Sequence, residues 1–129
     1  MTYAERTVNK KKALRQAVYD KYIGHCSYCG QVITIAEMQV DHLIPKAHKG
    51  YAKEVIEHID NLMPSCRLCN HYKRAHTLKE FREHLLGGLR DRLAKQYTVR
   101  IAERYGVVTL KQFDLKFYFE REHHGTSSQ

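Results

Sequence analysis

The sequence predicts an α+β fold, and three observations lead to that prediction. Two cysteine pairs of the form Cys-x-x-Cys lie far apart in the chain, at residues 26–29 and 66–69. Between the pairs, short apolar segments have the character of β-strands. Outside the pairs, apolar residues recur every three or four positions, which is typical of amphipathic helices. A small mixed core held together at the cysteines, with flanking helices at both ends, accounts for all three.

The four cysteines predict a structural zinc site. The short spacing within each pair lets both sulfur atoms point at one ion, and four thiolates complete its tetrahedral coordination. The expected ligands are Cys26, Cys29, Cys66 and Cys69. The first six residues lack the charged-then-apolar order of a secretory signal, which predicts a cytoplasmic protein. Because thiols stay reduced in that compartment, zinc is favoured over disulfides.

Residues 2–22 predict an amphipathic helix that ends near Gly24. Leu14, Val18 and Tyr22 supply apolar positions at helical spacing. The remaining face is basic, with Arg6, Lys10, Lys11, Lys12, Arg15 and Lys21. This face could lie along a nucleic-acid backbone or simply be solvated, and the sequence leaves both alternatives open.

The segment between the cysteine pairs predicts a strand that carries polar groups at its end. Short apolar pieces from residue 32 to residue 40 lead into the dipeptide Asp41-His42, and Pro45 ends the strand. A basic loop follows. In that loop Lys46 is expected to contact a substrate phosphate, because a single cation near the scissile group could offset developing charge.

The second cysteine pair begins another predicted helix, from Arg67 to about Ala75. Asn70 lies in its first turn. Lys73 follows three residues later, so it is expected on the same helix face, within reach of a bound phosphate. Together Asp41, His42 and Asn70 offer a carboxylate, an imidazole and an amide oxygen. These are the groups that a magnesium-assisted phosphodiester hydrolase needs.

The C-terminal part predicts helices followed by one strand. A helical stripe of apolar residues from Leu78 to Leu93 is expected to break at Gly87-Gly88. A second stripe recurs every four residues and is expected to pack in the core, at Leu93, Tyr97, Ile101 and Tyr105. Alternating residues from Leu115 to Glu120 predict a late strand, and His123–Gln129 predicts a frayed tail.

Composition bounds the partners. The 129 residues are the size of one domain, and no apolar run approaches the roughly 18 residues of a membrane span. The formal net charge is +8, from 22 Lys and Arg against 14 Asp and Glu. A polyanion is the natural counter-charge, because basic residues gain affinity by releasing its condensed cations. On charge alone, a basic surface that only keeps the protein soluble is an equal alternative. Beside the hydrolase groups Asp41, His42 and Asn70, DNA is the expected partner, with RNA and branched DNA left open and no membrane partner expected.

Several motifs occur together in one order. Cys26 and Cys29 are followed by the run 40–45 around Asp41-His42, then by Asn61-Leu62-Met63-Pro64, and finally by Cys66-Arg67-Leu68-Cys69-Asn70 with Lys73. This order resembles the HNH endonucleases, whose zinc-stapled members include phage junction-resolving nucleases. The resemblance extends from about Cys26 to Lys79 and implies a ββα-metal (His-Me finger) fold.

The resemblance also implies roles for single residues. Asp41 and Asn70 would hold a catalytic divalent ion, Mg²⁺ or Mn²⁺, and His42 would be the general base. Asn61 would brace the loop that presents His42. The chain departs from the family pattern at Ala47, at the single Gly50 and in residues 51–60, a stretch that is longer than usual.

One domain organisation and three function classes follow. Residues 1–129 are expected to form a single nuclease domain, with a basic helix at 1–24, the zinc-stapled core at 25–79, and helices with a strand at 80–129. Hydrolysis of DNA is the preferred function, and a symmetric cut on both strands would imply a homodimer. The first alternative is a non-catalytic zinc-knuckle module that binds nucleic acid, with Asp41, His42 and Asn70 as turn and cap residues. The second is a protein that docks a protein partner.

Overall fold

The computed structural model describes residues 1–121, which form two compact units. The first unit comprises residues 1–77 together with the chain from Lys116, and the second comprises residues 78–115. The helices and strands in chain order are α1 (Tyr3–Asp20), β1 (Gln39–His42), α2 (Lys53–Ile56), β2 (Leu62–Ser65), α3 (Arg67–Lys73), α4 (Leu78–Ala94) and α5 (Tyr97–Arg104). Two short 3-10 turns add Ile59–Asn61 and Tyr118–Glu120. The predicted tail with His123 lies outside the described residues.

The N-terminal helix is present as α1. Thr2 caps it: the Glu5 backbone N–H donates to the Thr2 hydroxyl, and the Glu5 carboxylate accepts from the Thr2 N–H, each at 3.1 Å. Val18 is its fully buried residue. The chain then turns at Gly24, where φ is +76° and a side chain would collide with the Tyr19 hydroxyl. No helix within residues 1–121 has the length and apolar character that a membrane span requires.

Two basic residues of the predicted N-terminal helix point inward, Arg15 in α1 and Lys21 immediately after it, which corrects the prediction of a wholly outward basic face. Arg15 donates to the carbonyls of Ile35 and Met38 at 2.6 and 2.7 Å. Lys21 donates to the carbonyls of Ile59 and Leu62 at 2.8 and 2.6 Å, and partial burial lowers its pKa. These long side chains donate to backbone carbonyls of the segment before β1, of the 3-10 turn at Ile59 and of the first residue of β2. Four basic residues of α1 stay exposed: Arg6, Lys10, Lys11 and Lys12.

The sheet consists of β1 and β2, which pair antiparallel with Gln39 opposite Ser65 and His42 opposite Leu62. Every residue of β2 is buried. The predicted apolar strand is shorter than expected, because the earlier residues contribute only an isolated bridge between His25 and Val32. The side chains of Ile33 and Met38 are nevertheless buried, whereas Val32 is exposed, and strand pairing is confined to four residues.

The strand predicted at residues 115–120 is wrong. This segment ends in a 3-10 turn, and its N–H groups at Tyr118 and Phe119 donate to the carbonyls of Tyr28 and Ser27 at 3.0 and 2.9 Å. Phe117 is buried with its ring 5.5 Å from that of Tyr28. The alternation therefore reflects aromatic packing on the first cysteine pair. Gly30 is required there, because a side chain would collide with the Tyr118 ring.

In the second unit, two predictions fail. Helix α4 continues through Gly87-Gly88, because Leu85 and Leu89 on one face are both half-buried and their packing outweighs about 1 kcal/mol of lost helix propensity per glycine. The chain breaks at Lys95-Gln96 instead. This break separates Leu93 from the rest of the second stripe, and that stripe is not a core face within the described residues: Tyr97 and Tyr105 are 82% and 77% exposed.

Candidate functional site

The four cysteines converge on one point. Their Sγ atoms lie within 4.8 Å of one another. Cys29 Sγ and Cys66 Sγ are 3.8 Å apart, which is the edge length expected for a tetrahedron with Zn–S bonds of about 2.3 Å. A disulfide would require about 2.05 Å, and all four thiols are free. The cluster therefore has the donor set and spacing that fit a tetrahedral zinc ion.

Local backbone structure positions these sulfurs. The turn at the first pair closes through hydrogen bonds from Cys26 N–H to Gln31 and from Gly30 N–H to Cys26, at 2.8 and 2.9 Å. Cys66 caps α3, and its sulfur accepts from the Cys69 N–H at 3.3 Å. Interaction with Cys26 raises the pKa of Cys29 to about 11, and neighbouring sulfurs also raise the pKa of Cys69. The neighbouring sulfurs thus disfavour ionisation of Cys29 and Cys69, and a cation bound among the four would remove that penalty.

Asp41 is a buried carboxylate with two partners. It lies in β1 with 6% of its surface exposed. The Tyr28 hydroxyl donates to its Oδ2, and the Lys73 ammonium lies 3.0 Å from the same oxygen. Burial and the charge of Asp41 raise the pKa of Tyr28 far above its usual range, so this phenol remains a donor. Asp41 is thus fixed in place by residues from the first cysteine turn and from α3.

Lys73 is not the exposed phosphate contact that was predicted. Its side chain is fully buried, and Nζ donates to the carbonyls of His42 and His76 at 2.9 Å each, besides pairing with Asp41. The physical reason is that a buried carboxylate needs a counter-charge, and α3 presents Lys73 directly to it. Sharing a helix face with Asn70 places the ammonium inside the site, where it is enclosed by protein.

His42 is held by a residue that the sequence analysis missed. Its Nε2 lies 3.0 Å from Oε1 of Glu57, and its side chain is 12% exposed. The hydrogen bond with His42 is the main cause of a lowered Glu57 pKa. Glu57 follows α2, within the stretch that departs from the family pattern. The signal in the sequence was the presence of carboxylates in that longer stretch, but it does not single out Glu57.

Asn61 contacts the loop that follows His42. Its Oδ1 accepts from the Ile44 N–H at 2.8 Å, and its Nδ2 donates to the carbonyls of Ile44 and Ile56 at 3.1 and 2.8 Å. Asn61 is itself buried. Its side chain therefore joins the loop after His42 to the end of α2.

The remaining predicted residues take two different positions. Asn70 is half-buried in α3, one turn before Lys73, and within residues 1–121 its side chain makes no hydrogen bond. Because residues three apart share a helix face, the contacts of Lys73 bring that face of α3 to β1. Lys46 is exposed, and its charge also contributes to the lowered pKa of Glu57. Asn70 is thus half-buried on the helix face that carries Lys73, whereas Lys46 is exposed at the rim of the His42 site.

Comparison with known proteins shows which family part of this chain resembles. Residues 26–76 match the family model described as HNH endonuclease. Among solved structures, 53% of this chain is similar to 7% of the Type II-C Cas9 enzyme from Actinomyces naeslundii, with 26% sequence identity and a TM-score of 0.45. No curated protein sequence matches the chain. The matched segment contains all four cysteines together with Asp41, His42, Asn61 and Asn70.

The order of elements agrees with that family. Strands β1 and β2 and helix α3 are two antiparallel strands followed by a helix, and the cysteine cluster joins the turn before β1 to the start of α3. This is an α+β fold of the ββα-metal type. Residues 26–76 of this chain therefore match the HNH endonuclease family in sequence and in the order of their elements.

Proposed function

We propose that this protein is a metal-dependent endonuclease that hydrolyses phosphodiester bonds in DNA, with His42 as its general base. The observation that carries the proposal is the placement of His42. It lies beside Asp41 in β1, largely enclosed and hydrogen-bonded through Nε2, within the segment that matches the HNH model. A general base must be held in one orientation to take a proton efficiently, and this ring is held.

The donor set fits a hard divalent ion. Asp41 offers a carboxylate and Asn70 an amide oxygen, and the Asn70 side chain is uncommitted within the described chain. Oxygen ligands of this kind suit Mg²⁺ or Mn²⁺. When bound by Asp41 and Asn70, such an ion would supply Lewis-acid stabilisation of charge on the phosphate oxygens. We assign Zn²⁺ to the four cysteines as a structural ion, because thiolates would fill all of its coordination positions.

The residues of the chain then divide the work. His42 takes a proton from the water that attacks phosphorus in line with the leaving oxygen. Asn61 holds the loop after His42, which limits movement of the imidazole. Lys46 contacts a phosphate from the rim, and the four exposed basic residues of α1 supply further positive charge for the DNA backbone.

A non-catalytic zinc-knuckle module that binds DNA is the second candidate, and one observation favours it. Oδ2 of Asp41 is already bound by Tyr28 and Lys73, so this carboxylate is internally satisfied. In that case Asp41 would serve only to pair Lys73 in the interior. The two candidates differ in whether the protein cleaves DNA when a divalent ion is added.

The test is cleavage of supercoiled plasmid with Mg²⁺ or Mn²⁺ by the parent protein and by His42→Ala. We expect nicking by the parent and a loss of about 10²- to 10⁴-fold in the variant, since a positioned base contributes that much. Zinc content and DNA affinity should be unchanged, because His42 is not one of the four proposed zinc ligands. Equal cleavage rates for the two proteins would refute the role of His42. DNA binding without cleavage by either protein would favour the second candidate.

A further inference from the structure

The contact between Glu57 and His42 fixes more than the position of the ring. A carboxylate only accepts hydrogen bonds, so Oε1 of Glu57 at 3.0 Å requires a proton on Nε2 of His42. The neutral imidazole carries a single ring proton, and Nδ1 is consequently left with a free lone pair. The lowered pKa of Glu57 agrees with an ionised carboxylate as the acceptor of this hydrogen bond.

Asn61 holds both partners in register. It binds the Ile44 backbone, two residues after His42, and the Ile56 carbonyl, immediately before Glu57. Ile56 is buried, and the Glu57 N–H donates to the Lys53 carbonyl at 2.9 Å, which ends α2. One buried amide therefore links the loop that carries His42 to the turn that carries Glu57.

The contact does not serve folding. The Glu57 side chain is 44% exposed, and ion pairs that are open to solvent contribute little to stability. An exposed carboxylate that contacts an enclosed imidazole is suited to orienting it, because the energy required to fix a tautomer and a rotamer is small.

We propose that Glu57 is a positioning residue for His42, selecting the tautomer with the proton on Nε2 and leaving Nδ1 as the nitrogen that accepts the proton from water. This inference rests on the proposed nuclease function. It adds a residue from the unusual stretch 51–60 to the reaction and specifies which imidazole nitrogen faces the reacting water.

The experiment compares Glu57→Ala and Glu57→Gln with a matched control, Glu54→Ala, which removes an equal charge from the adjoining helix α2 at a residue that does not contact His42. Two readouts are needed: the cleavage rate at saturating DNA with Mg²⁺, and the His42 tautomer from ring ¹⁵N chemical shifts of the whole protein. We expect Glu57→Ala to lower the rate about 10- to 10²-fold at constant KM, less than loss of His42 itself.

Conservative replacement sharpens the test. Glu57→Gln keeps an oxygen that can accept a hydrogen bond from the Nε2–H group, so it should retain the tautomer and recover part of the rate. Glu54→Ala should stay within about two-fold of the parent, consistent with its lack of contact with the ring. In a His42→Ala background, Glu57→Ala should cause no further loss, because the two residues act as one unit.

Two results would overturn the inference: a parent tautomer with the proton on Nδ1, or unchanged rate and tautomer in Glu57→Ala. The tautomer measurement does not depend on catalysis. In one outcome the parent carries the proton on Nε2, Glu57→Ala does not, and the parent cleaves no DNA. That outcome would refute the proposed function and support the positioning contact. If the parent cleaves DNA and Glu57→Ala cleaves it at the same rate, the proposed function would be supported and the positioning role of Glu57 refuted.

Discussion

The cysteine cluster and the His42 site lie in the same unit but are assembled in different ways. The cluster is made of four identical donors in two local turns, and one ion would satisfy all of them. The His42 site is made of unlike groups, in which each partner comes from a different element: Tyr28 and Lys73 for Asp41, and Glu57 for His42.

This difference separates stability from chemistry. The cluster joins the start of α3 to the turn before β1, so a zinc ion there would couple metal binding to folding. In the His42 site, a buried ion pair with Lys73 orients Asp41, and the exposed carboxylate of Glu57 orients His42. Damage to the cluster should therefore unfold the protein, whereas damage to the site should be graded.

The largest expected effect is that of zinc removal. Apparent binding energies for structural zinc are about 10–16 kcal/mol at neutral pH, which is comparable with or larger than the stability of a domain of this size. We expect a chelator, or Cys66→Ser, to abolish cooperative thermal unfolding followed by circular dichroism. Adding zinc back should restore the chelated parent but not the variant. Folded protein with no zinc by elemental analysis would contradict the assignment of the cluster.

The next effect concerns the ion pair inside the His42 site. Lys73→Met leaves Asp41 buried without its counter-charge, and breaking such a pair typically costs about 3–5 kcal/mol. We expect a lower free energy of unfolding in urea, while Lys79→Met, at an exposed position, should change it little. The double variant Asp41→Asn/Lys73→Met should recover most of the loss, because it removes both charges. If Lys73→Met were as stable as the parent, the buried pair would not be a structural requirement.

The cysteine cluster and the His42 site also differ in how much of each could be predicted from the sequence. Cysteine spacing is local, so the cluster, α1 and α3 were predicted from short segments. The helix face shared by Asn70 and Lys73 was also a local property. The destination of Lys73 was not, because it depends on a buried Asp41 that only β1 brings near.

Glu57 shows the limit most clearly. Nothing in residues 51–60 distinguishes Glu57 from Glu54 until α2 ends and Asn61 binds the Ile56 carbonyl. In the second unit, the aromatic stripe of α5 has the period of a core face, but Tyr97 and Tyr105 on that face are exposed. Periodicity predicts an amphipathic helix without specifying which neighbour covers it.

The smallest expected effect is at the rim of the His42 site, where Lys46 is exposed in the loop after Pro45. If Lys46 contacts a DNA phosphate, Lys46→Ala should weaken binding and lower the salt dependence of log K by about 1 unit of slope. Lys49→Ala, in the same loop, is the matched control, because it removes an equal charge. Fluorescence anisotropy across a salt series measures both slopes.

Specific and general charge effects predict different results for Lys46 and Lys49. A phosphate contact at Lys46 should reduce the slope in Lys46→Ala alone, whereas a diffuse attraction from the net charge of +8 should shift both variants equally. Lys46 also lowers the pKa of Glu57, but the hydrogen bond with His42 is the larger cause. The cleavage rate at saturating DNA should therefore remain near that of the parent. Equal slopes for the two variants would remove Lys46 from the site and leave His42 and Glu57 as its chemical part.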